Sequence, residues 1–540
     1  MRIAARSIGR PKLLAWPTDT VQDRNLKLFT ATNTCLFALM AVIAVWAAWQ
    51  RGPWLDEFWT LWLSKHDVPL TAAVRERWLI DVHPPFFTGV NWLVQTWAGD
   101  SVLLRRLMNF LPLVASLLLA TALCRRYPKN RSYIIICAFM IVTSPVFSYN
   151  MTEIRSYFTQ ICCMTSLIIC LYAMMTLTRD ALIRDHRLLA ASLFLLILLA
   201  LNIHYVTTVV AASIVAASGL CMLVRRQWKW FFLLLVAGLV ASLPLMAWFI
   251  TQTAFLDQIS GTFWIKVSFP IAVKTLIAQI VKSFGFNLAV LVSLAILVTN
   301  LLQMHRTGGV TADRVRSEID PPGVGTGHTL FVIAMVAGLA FATVLLLAVN
   351  IKHPHLFVAR YLSSIALTTV AIVAALIVNV VRQRRLLFTL LLLNGALVYG
   401  ITVISHALDR GWDSAASLIQ AQKTQCASSQ VFAAEYPANY VVPNQDQVID
   451  WAYHVEAARY GFPVQVLTSR APLDLSQGER CPAILWIDHI DWSELPEPVT
   501  LGAITKRLPV ALPPKFLDSA HMLKTGSGIV IVGGASAPAQ

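Results

Sequence analysis

The sequence predicts a polytopic α-helical membrane protein of about eleven spans, followed by a small α/β domain over residues 406–540. Three observations carry that expectation. The 540-residue chain is 57% hydrophobic and 13% charged, with a mean hydropathy of +0.64, which excludes an ordinary soluble globule. Apolar runs long enough to cross a hydrocarbon core recur from residue 29 to residue 405. Clusters of Lys and Arg fall at every second junction between those runs, as the bias of basic residues toward cytoplasmic loops requires.

Residues 1–28 are polar and carry Arg2, Arg6, Arg10, Lys12, Arg24 and Lys27 ahead of the first run at 29–49. That run exceeds a signal-peptide core and no small-residue cleavage site follows, so it reads as an uncleaved span behind a cytoplasmic tail. Further runs lie near 102–124, 133–149, 156–176, 188–205, 206–224, 231–250, 275–302, 329–349, 361–381 and 386–405. The basic groups Arg125/Arg126/Lys129/Arg131, Arg179/Arg184/Arg187, Arg225/Arg226/Lys229, Arg306/Arg314/Arg316 and Arg382/Arg384/Arg385 then all fall on one side. Residues 84–98 are apolar but too short to span. They read as an amphipathic helix on the outer surface, with Trp92 and Trp97 at the interface.

This map places the first external loop, 50–101, on the outer face, together with 150–155, the tight turn at His204 and Tyr205, 251–274 and 350–360. The 307–328 loop is a Gly- and Pro-containing linker on the inner side. An odd number of spans puts 406–540 outside, where "SSQVFAAEY", "AILWID" and "GIVIVGG" read as strands. Seven cysteines lie in or beside apolar runs, without the paired spacing of a zinc site. Cys426 and Cys481 lie in the polar last third, and an extracytoplasmic location is compatible with a disulfide between them. The formal charge of +15 is dispersed among short loop clusters, so nucleic acid is not an expected partner.

The outer ends of separate helices carry Asp56 and Glu57, Asp81 with His83, Arg105 and Arg106, Glu153 with Arg155 and Tyr157, His204 and Tyr205, and Lys352, His353, His355, Arg360 and Tyr361. Ionisable groups at a membrane boundary are costly unless paired or solvated, so their gathering on one face marks a candidate site. Carboxylates beside cations suit sugar transfer from a lipid phosphate. A carboxylate takes the proton of the attacking hydroxyl, and guanidiniums receive the departing phosphate.

The series "LDEFWT…DVHPPFF", "LLRRLMNFLP", "SPVFSYNMTEIRSYF", "NIHYVTT" and "VARYLSS" resembles, in order and spacing, the bacterial GT-C membrane glycosyltransferases related to protein O-mannosyltransferases and aminoarabinose transferases. The resemblance covers about the first 360 residues and no motif of 406–540. It implies a GT-C fold with membrane-parallel helices in the first external loop, a polyprenyl-phosphate-linked sugar donor, and inversion at the anomeric carbon with a loop aspartate as base. Carried over, Asp56 is that base, with Glu57 beside it. Asp81 and His83 take the HPP-motif positions, and Glu153, Arg155 and Tyr157 those of an "EARxY"-like motif, in which Ile154 and Ser156 replace the usual residues.

Each residue also has a plainer reading. Asp56 and Glu57 could be a solvated loop start. His83-Pro84-Pro85 could be a rigid turn that opens the surface helix. Arg105, Arg106, Arg155 and Arg360 could anchor to headgroups. His204 could cap a turn, and "KHPH" at 352–355 could be a solvated linker. Two histidines with one residue between them are weak grounds for zinc, so no metal is assigned and a divalent ion stays open. No cofactor is otherwise expected. Trp54 and Trp59 flank the acidic pair and could line a sugar cavity.

The expected division is a cytoplasmic tail at 1–28, a transmembrane catalytic domain at 29–405 and an extracytoplasmic domain at 406–540, in a bacterial inner membrane. The expected activity is an inverting glycosyltransferase moving a sugar from a polyprenyl phosphate to a glycan, lipid or protein. Two alternatives stand beside it: a ligase or polymerase of polyprenyl-diphosphate glycans, and a lipid-linked glycan transporter. The transporter would show charges at mid-membrane and paired interrupted helices.

Overall fold

The computed structural model describes residues 35–36, 38–81, 83–178, 181–260, 267–284, 287–306, 326–352, 357–435, 444–467, 481–488, 500–506, 508 and 511–533. The basic tail, the 307–325 linker and His353 and His355 lie outside the described residues, as does the Lys352 side chain.

Every apolar run read from the sequence is mostly helical in its described residues. The first is α1 (Ala38–Gln50). Four short helices follow it: α2 (Leu55–Leu63), α3 (Leu70–Ala73), α4 (Phe86–Ala98) and α5 (Val102–Leu107), the last leading into α6 (Phe110–Arg126). α4 buries Phe87, Asn91, Val94 and Ala98 and leaves Trp97 exposed, which is the amphipathic surface helix expected at 84–98. The bundle continues through α7 (Arg131–Val142), α8 (Pro145–Met151), α9 (Ser156–Met175), α10 (Arg187–Ile203), α11 (Tyr205–Val224), α12 (Trp228–Ser260), α13 (Phe269–Ser283) and α14 (Leu288–Arg306). It closes with α15 (Thr326–Lys352), α16 (Ser363–Gln383) and α17 (Arg385–Ala407). Among the described residues eight helices are long and apolar enough to cross a membrane, or ten if two bent pairs each count as one. This is a multi-pass membrane protein.

The bends have local causes. α7 and α8 meet at 60°, where Pro145 has no N–H to continue the helix and the Ser144 hydroxyl accepts from Phe147 N as an N-cap. α13 and α14 meet at 98° around Phe284 and Asn287. α9 and α16 are the buried staves of the bundle, whereas α6 and α12 present Leu118 and Leu243 outward as lipid-facing surface. Close crossing in lipid depends on small residues. On α15, a Cβ at Gly338 would come 2.7 Å from the Ile214 Cα of α11, so only glycine fits there.

After α17 the chain forms α18 (Gly411–Gln425), β1 (Val431–Glu435), α19 (Gln445–Arg459), β2 (Gln465–Leu467), β3 (Ala483–Asp488), α20 (Leu501–Thr505), α21 (Pro514–Asp518), β4 (His521–Lys524) and β5 (Ile529–Gly533). The sheet runs β2-β1-β3-β5-β4, parallel across the first three strands and antiparallel beyond. Alternation along the strands sorts side chains between its two faces. Phe432, Leu485 and Ile531 pack under Ile504 and Phe516, while Val431, Trp486 and Val530 pack toward α18 and α19. Cys426 and Cys481 are joined by a disulfide with Cα atoms 5.8 Å apart.

The second of those cores does not stop at the sheet. It includes Phe58, Trp62 and Leu63 of α2, with the Phe58 ring 5.1 Å from Trp412 and 6.2 Å from Trp451. Helix α2 is therefore a wall shared by the α/β unit and the bundle.

Candidate active site

Neighbouring helical positions point about 100° apart, so the two carboxylates of "LDEFWT" face different surroundings. Asp56 turns toward the ends of α9 and α16. Its Oδ2 lies 3.0 Å from the Arg360 guanidinium and 3.7 Å from that of Arg155. Arg155 is held by the Thr60 hydroxyl at 3.1 Å, one turn along α2. Glu57 is fully buried and turns the other way. Both its oxygens accept from Arg106, at 2.9 and 2.6 Å, and Oε1 also accepts from Ile154 N at 3.0 Å. Arg106 spends its remaining donors on the carbonyls of Ala48, Arg51 and Gly52.

The second element of the cluster comes from the end of the loop. His83 Nδ1 is 3.2 Å from Asp81 Oδ1. Burial by itself would raise the Asp81 carboxyl, but the charge and hydrogen bond of His83, with Arg155 and the Trp59 indole, outweigh it and hold Asp81 below the ordinary carboxylate value. The His83 ring stands 5.0 Å from His204, 6.0 Å from Tyr361 and 6.1 Å from Tyr157. These four rings form one aromatic nest, because His204 is also 5.0 Å from Tyr361 and 5.7 Å from Tyr157. Burial first, then the charges of His83, Arg155 and Arg360, keep His204 well below the usual histidine value, so it is neutral at neutral pH. Its Nδ1 accepts from Val206 N at 3.3 Å, which assigns the proton to Nε2.

Beside this nest lies a second carboxylate–guanidinium pair. Glu153 accepts from Arg51 at 3.0 Å and lies 3.5 Å from His406 Nε2 at the end of α17. Burial would raise its carboxyl, but the charge of Arg51 and the hydrogen bond and charge of His406 lower it. Trp54 separates the two pairs, with Arg360 5.2 Å and Arg51 6.0 Å from its ring.

Several buried polar atoms around Asp56 make no hydrogen bond among the described residues. They are Asp56 Oδ2, Arg155 Nε, Arg360 Nε, Tyr157 Oη, His204 Nε2 and Trp54 Nε1. Burying so many unmet donors and acceptors is costly unless a polar ligand meets them. Two guanidiniums, an imidazole N–H and a phenol beside a carboxylate can stabilise an anion and accept a proton at adjacent points.

The structure thus brings together Asp56, Asp81, His83, Arg155, Tyr157, His204, Arg360 and Tyr361, with Glu153 alongside. It sets four other residues of the sequence reading elsewhere. Glu57 and Arg106 satisfy one another, Arg105 donates to the carbonyls of Gly99 and Asn91 at the α4–α5 junction, and the Tyr205 hydroxyl bonds Gln252. Lys352, His353 and His355 are not described there. No group of His, Cys, Asp and Glu among the described residues could hold a metal. Arg51 and His406 were missed by the sequence reading, although both are ionisable residues at span ends and the rule that found the others applies to them.

No family model matches the chain, and no curated protein matches it. Two crystal structures are similar to it across nearly their full length. One is ArnT from Cupriavidus metallidurans bound to undecaprenyl phosphate, at 12% identity and a TM-score of 0.48, covering 93% of this chain and 98% of that one. The other is the same ArnT in the apo state, at 13% and 0.49, covering 94% and 98%. The chemistry of the site rests on this chain's own residues.

Proposed function

We propose that this protein is a membrane glycosyltransferase that moves a sugar from a polyprenyl phosphate to a hydroxyl of a glycan, lipid or protein outside the cytoplasm, with Asp56 as general base. The observation that carries this reading is the Asp56 carboxylate held between Arg155 and Arg360 in a nest of polar atoms that lack partners. The order of sequence motifs that resembles the GT-C transferases supports it. Asp56 removes the acceptor's proton, and the hydroxyl oxygen bonds the anomeric carbon. The bond from that carbon to the phosphate oxygen breaks, and its electron pair leaves with the phosphate onto Arg155 and Arg360. His204 Nε2–H and the Tyr157 hydroxyl donate to the same departing oxygens. The direct attack inverts the anomeric centre, and the domain division at 28, 405 and 540 belongs to the same reading.

The test is transfer of labelled sugar from a panel of polyprenyl-phosphate sugars into a lipid and protein extract, with wild type and Asp56→Asn at equal amounts in membranes. Transfer by wild type and a loss of at least about a hundredfold in the variant are expected for a lost base. Transfer that survives in Asp56→Asn removes Asp56 as base and turns attention to Asp81 and Glu153. No transfer from any monophosphate donor overturns the reading in favour of diphosphate-linked glycan ligation or transport.

A further inference from the structure

The loop that delivers Asp81 and His83 is pinned at both ends. At its start, Arg77 makes two bonds to Asp67 at 2.6 and 3.0 Å and lies 4.7 Å from the Trp62 ring, while the Trp78 indole donates to Leu63 O at 2.9 Å. These bonds stay inside the first loop. Just before Asp81 the tether is of another kind, because it reaches into the bundle. Gln252, near the end of α12, is fully buried on a helix whose neighbours Phe249 and Ile250 face outward. Its amide nitrogen donates to Leu79 O at 3.2 Å and to Asp81 O, and its amide oxygen accepts from the Tyr205 hydroxyl at 2.5 Å.

We infer that Gln252 is a positioning residue: with Tyr205 behind it, its amide ties the carbonyls of Leu79 and Asp81 to α11 and α12 and so fixes where the Asp81–His83 pair meets His204 and Tyr361. Three features make this more than a satisfied buried amide. An amide that donates through nitrogen and accepts through oxygen has its orientation fixed: the two carbonyls can only accept, so they take the nitrogen, and the Tyr205 hydroxyl donates to the oxygen on the other side. Tyr205 directly follows His204, so one short turn sets both the ring that faces His83 and the strap that holds His83's loop. The strap bonds backbone rather than side chain, so it leaves the Asp81 carboxylate free for His83, Arg155 and Trp59. A polar residue at a membrane boundary is costly unless it is partnered, and here the partners are the two carbonyls that enter the site.

The inference deepens the proposed transfer reaction and rests on it for its catalytic consequence, but the strap itself is testable without activity. Gln252→Met keeps length and volume and removes both donors and the acceptor. In the full-length protein in detergent, acylation of histidines by diethyl pyrocarbonate, followed site by site by mass spectrometry, should be several-fold faster at His83 in Gln252→Met and unchanged at His186 on the far side of the bundle. In the transfer assay the same variant should lose kcat by about ten- to a hundredfold while KM for the lipid donor stays within about threefold, as expected when positioning rather than binding is removed. Tyr205→Phe, which removes one hydroxyl, should fall between wild type and Gln252→Met in both readouts and serves as the probe if Gln252→Met does not fold. A His83 rate equal to wild type overturns the strap. A faster His83 with unchanged kcat overturns its role in positioning. Absence of transfer in wild type overturns the proposed function and leaves the strap to be judged on His83 alone.

Discussion

Asp56 and Glu57 differ by one methylene, yet they have unlike roles because a helix separates adjacent side chains by about 100°. Glu57 and Arg106 are a buried pair in which every strong donor and acceptor is used. Removing one partner leaves the other's charge uncompensated, at a cost of about 3–5 kcal/mol. Glu57→Gln is therefore expected to lower Tm sharply or prevent folding in detergent, and Asp56→Asn to lower it less, because the Asp56 side chain is 23% exposed and its pairing is partly solvated. Equal Tm values for the two variants would refute that division. The sequence announces an acidic pair followed by a basic pair, but not which member meets which. Arg105 and Arg106 are alike until backbone geometry hands one to Glu57 and the other to Gly99 and Asn91. Both arginines bond protein groups, where the plainer reading had them anchor to headgroups.

Among elements, the span helices are legible because each needs a long apolar run and little else. The sequence reading ran 133–149 and 275–302 as unbroken spans, although Pro145 in the first and Gly285 and Asn287 in the second are residues that interrupt helices. Strands β2 and β4, at three and four residues, are too short for alternation to stand out. The join between α1 and α2 was also hidden, since nothing in "QRGPW" reveals that the Trp412 N–H donates to Pro53 O at 3.3 Å, or that a Cβ on Gly52 would overlap the Arg410 carbonyl. Gly52→Ala must push the start of α18 off α2, and overpacking of this kind costs about 1–3 kcal/mol or more. Limited proteolysis is expected to cut the 408–430 segment faster in Gly52→Ala. Gly526→Ala, whose new Cβ would meet its nearest atoms at an ordinary 3.6 Å, is expected to match wild type. Equal digestion of both variants would show that the join tolerates displacement.

At the scale of the molecule, the bundle and the α/β unit meet around a buried carboxyl. Glu456 of α19 has no exposed surface and its Oε2 has no hydrogen-bond partner, while Arg459 lies 3.3 Å from both Glu456 and Asp413. Burial raises Glu456 to about 7, with Asp413 and Asp488 adding to the rise and Arg459 and Arg106 opposing it. Because the folded value is raised, the stability gained from holding the proton is complete below the unfolded value of about 4.5 and is lost as pH climbs through about 7. Melting of wild type is expected to fall relative to Glu456→Gln as pH rises from 5 to 8, by up to about 3 kcal/mol, since each pKa unit is worth about 1.4 kcal/mol. Parallel curves for the two proteins would contradict a buried, raised Glu456. Composition and periodicity were enough for the membrane class and for a strand-bearing last quarter. They could not reveal that this last quarter covers α2, because Phe58 meets Trp412 and Trp451 across about 350 and 390 residues by ring packing, which leaves no period in the sequence.

That shared wall sets a timetable. Helix α2 leaves the ribosome about 350 residues ahead of Trp412 and about 390 ahead of Trp451, which roof its apolar side. At ~15 residues per second the interval is on the order of half a minute. During that interval the helix carrying Asp56 is a half-built face, and only the arrival of the α/β unit completes it.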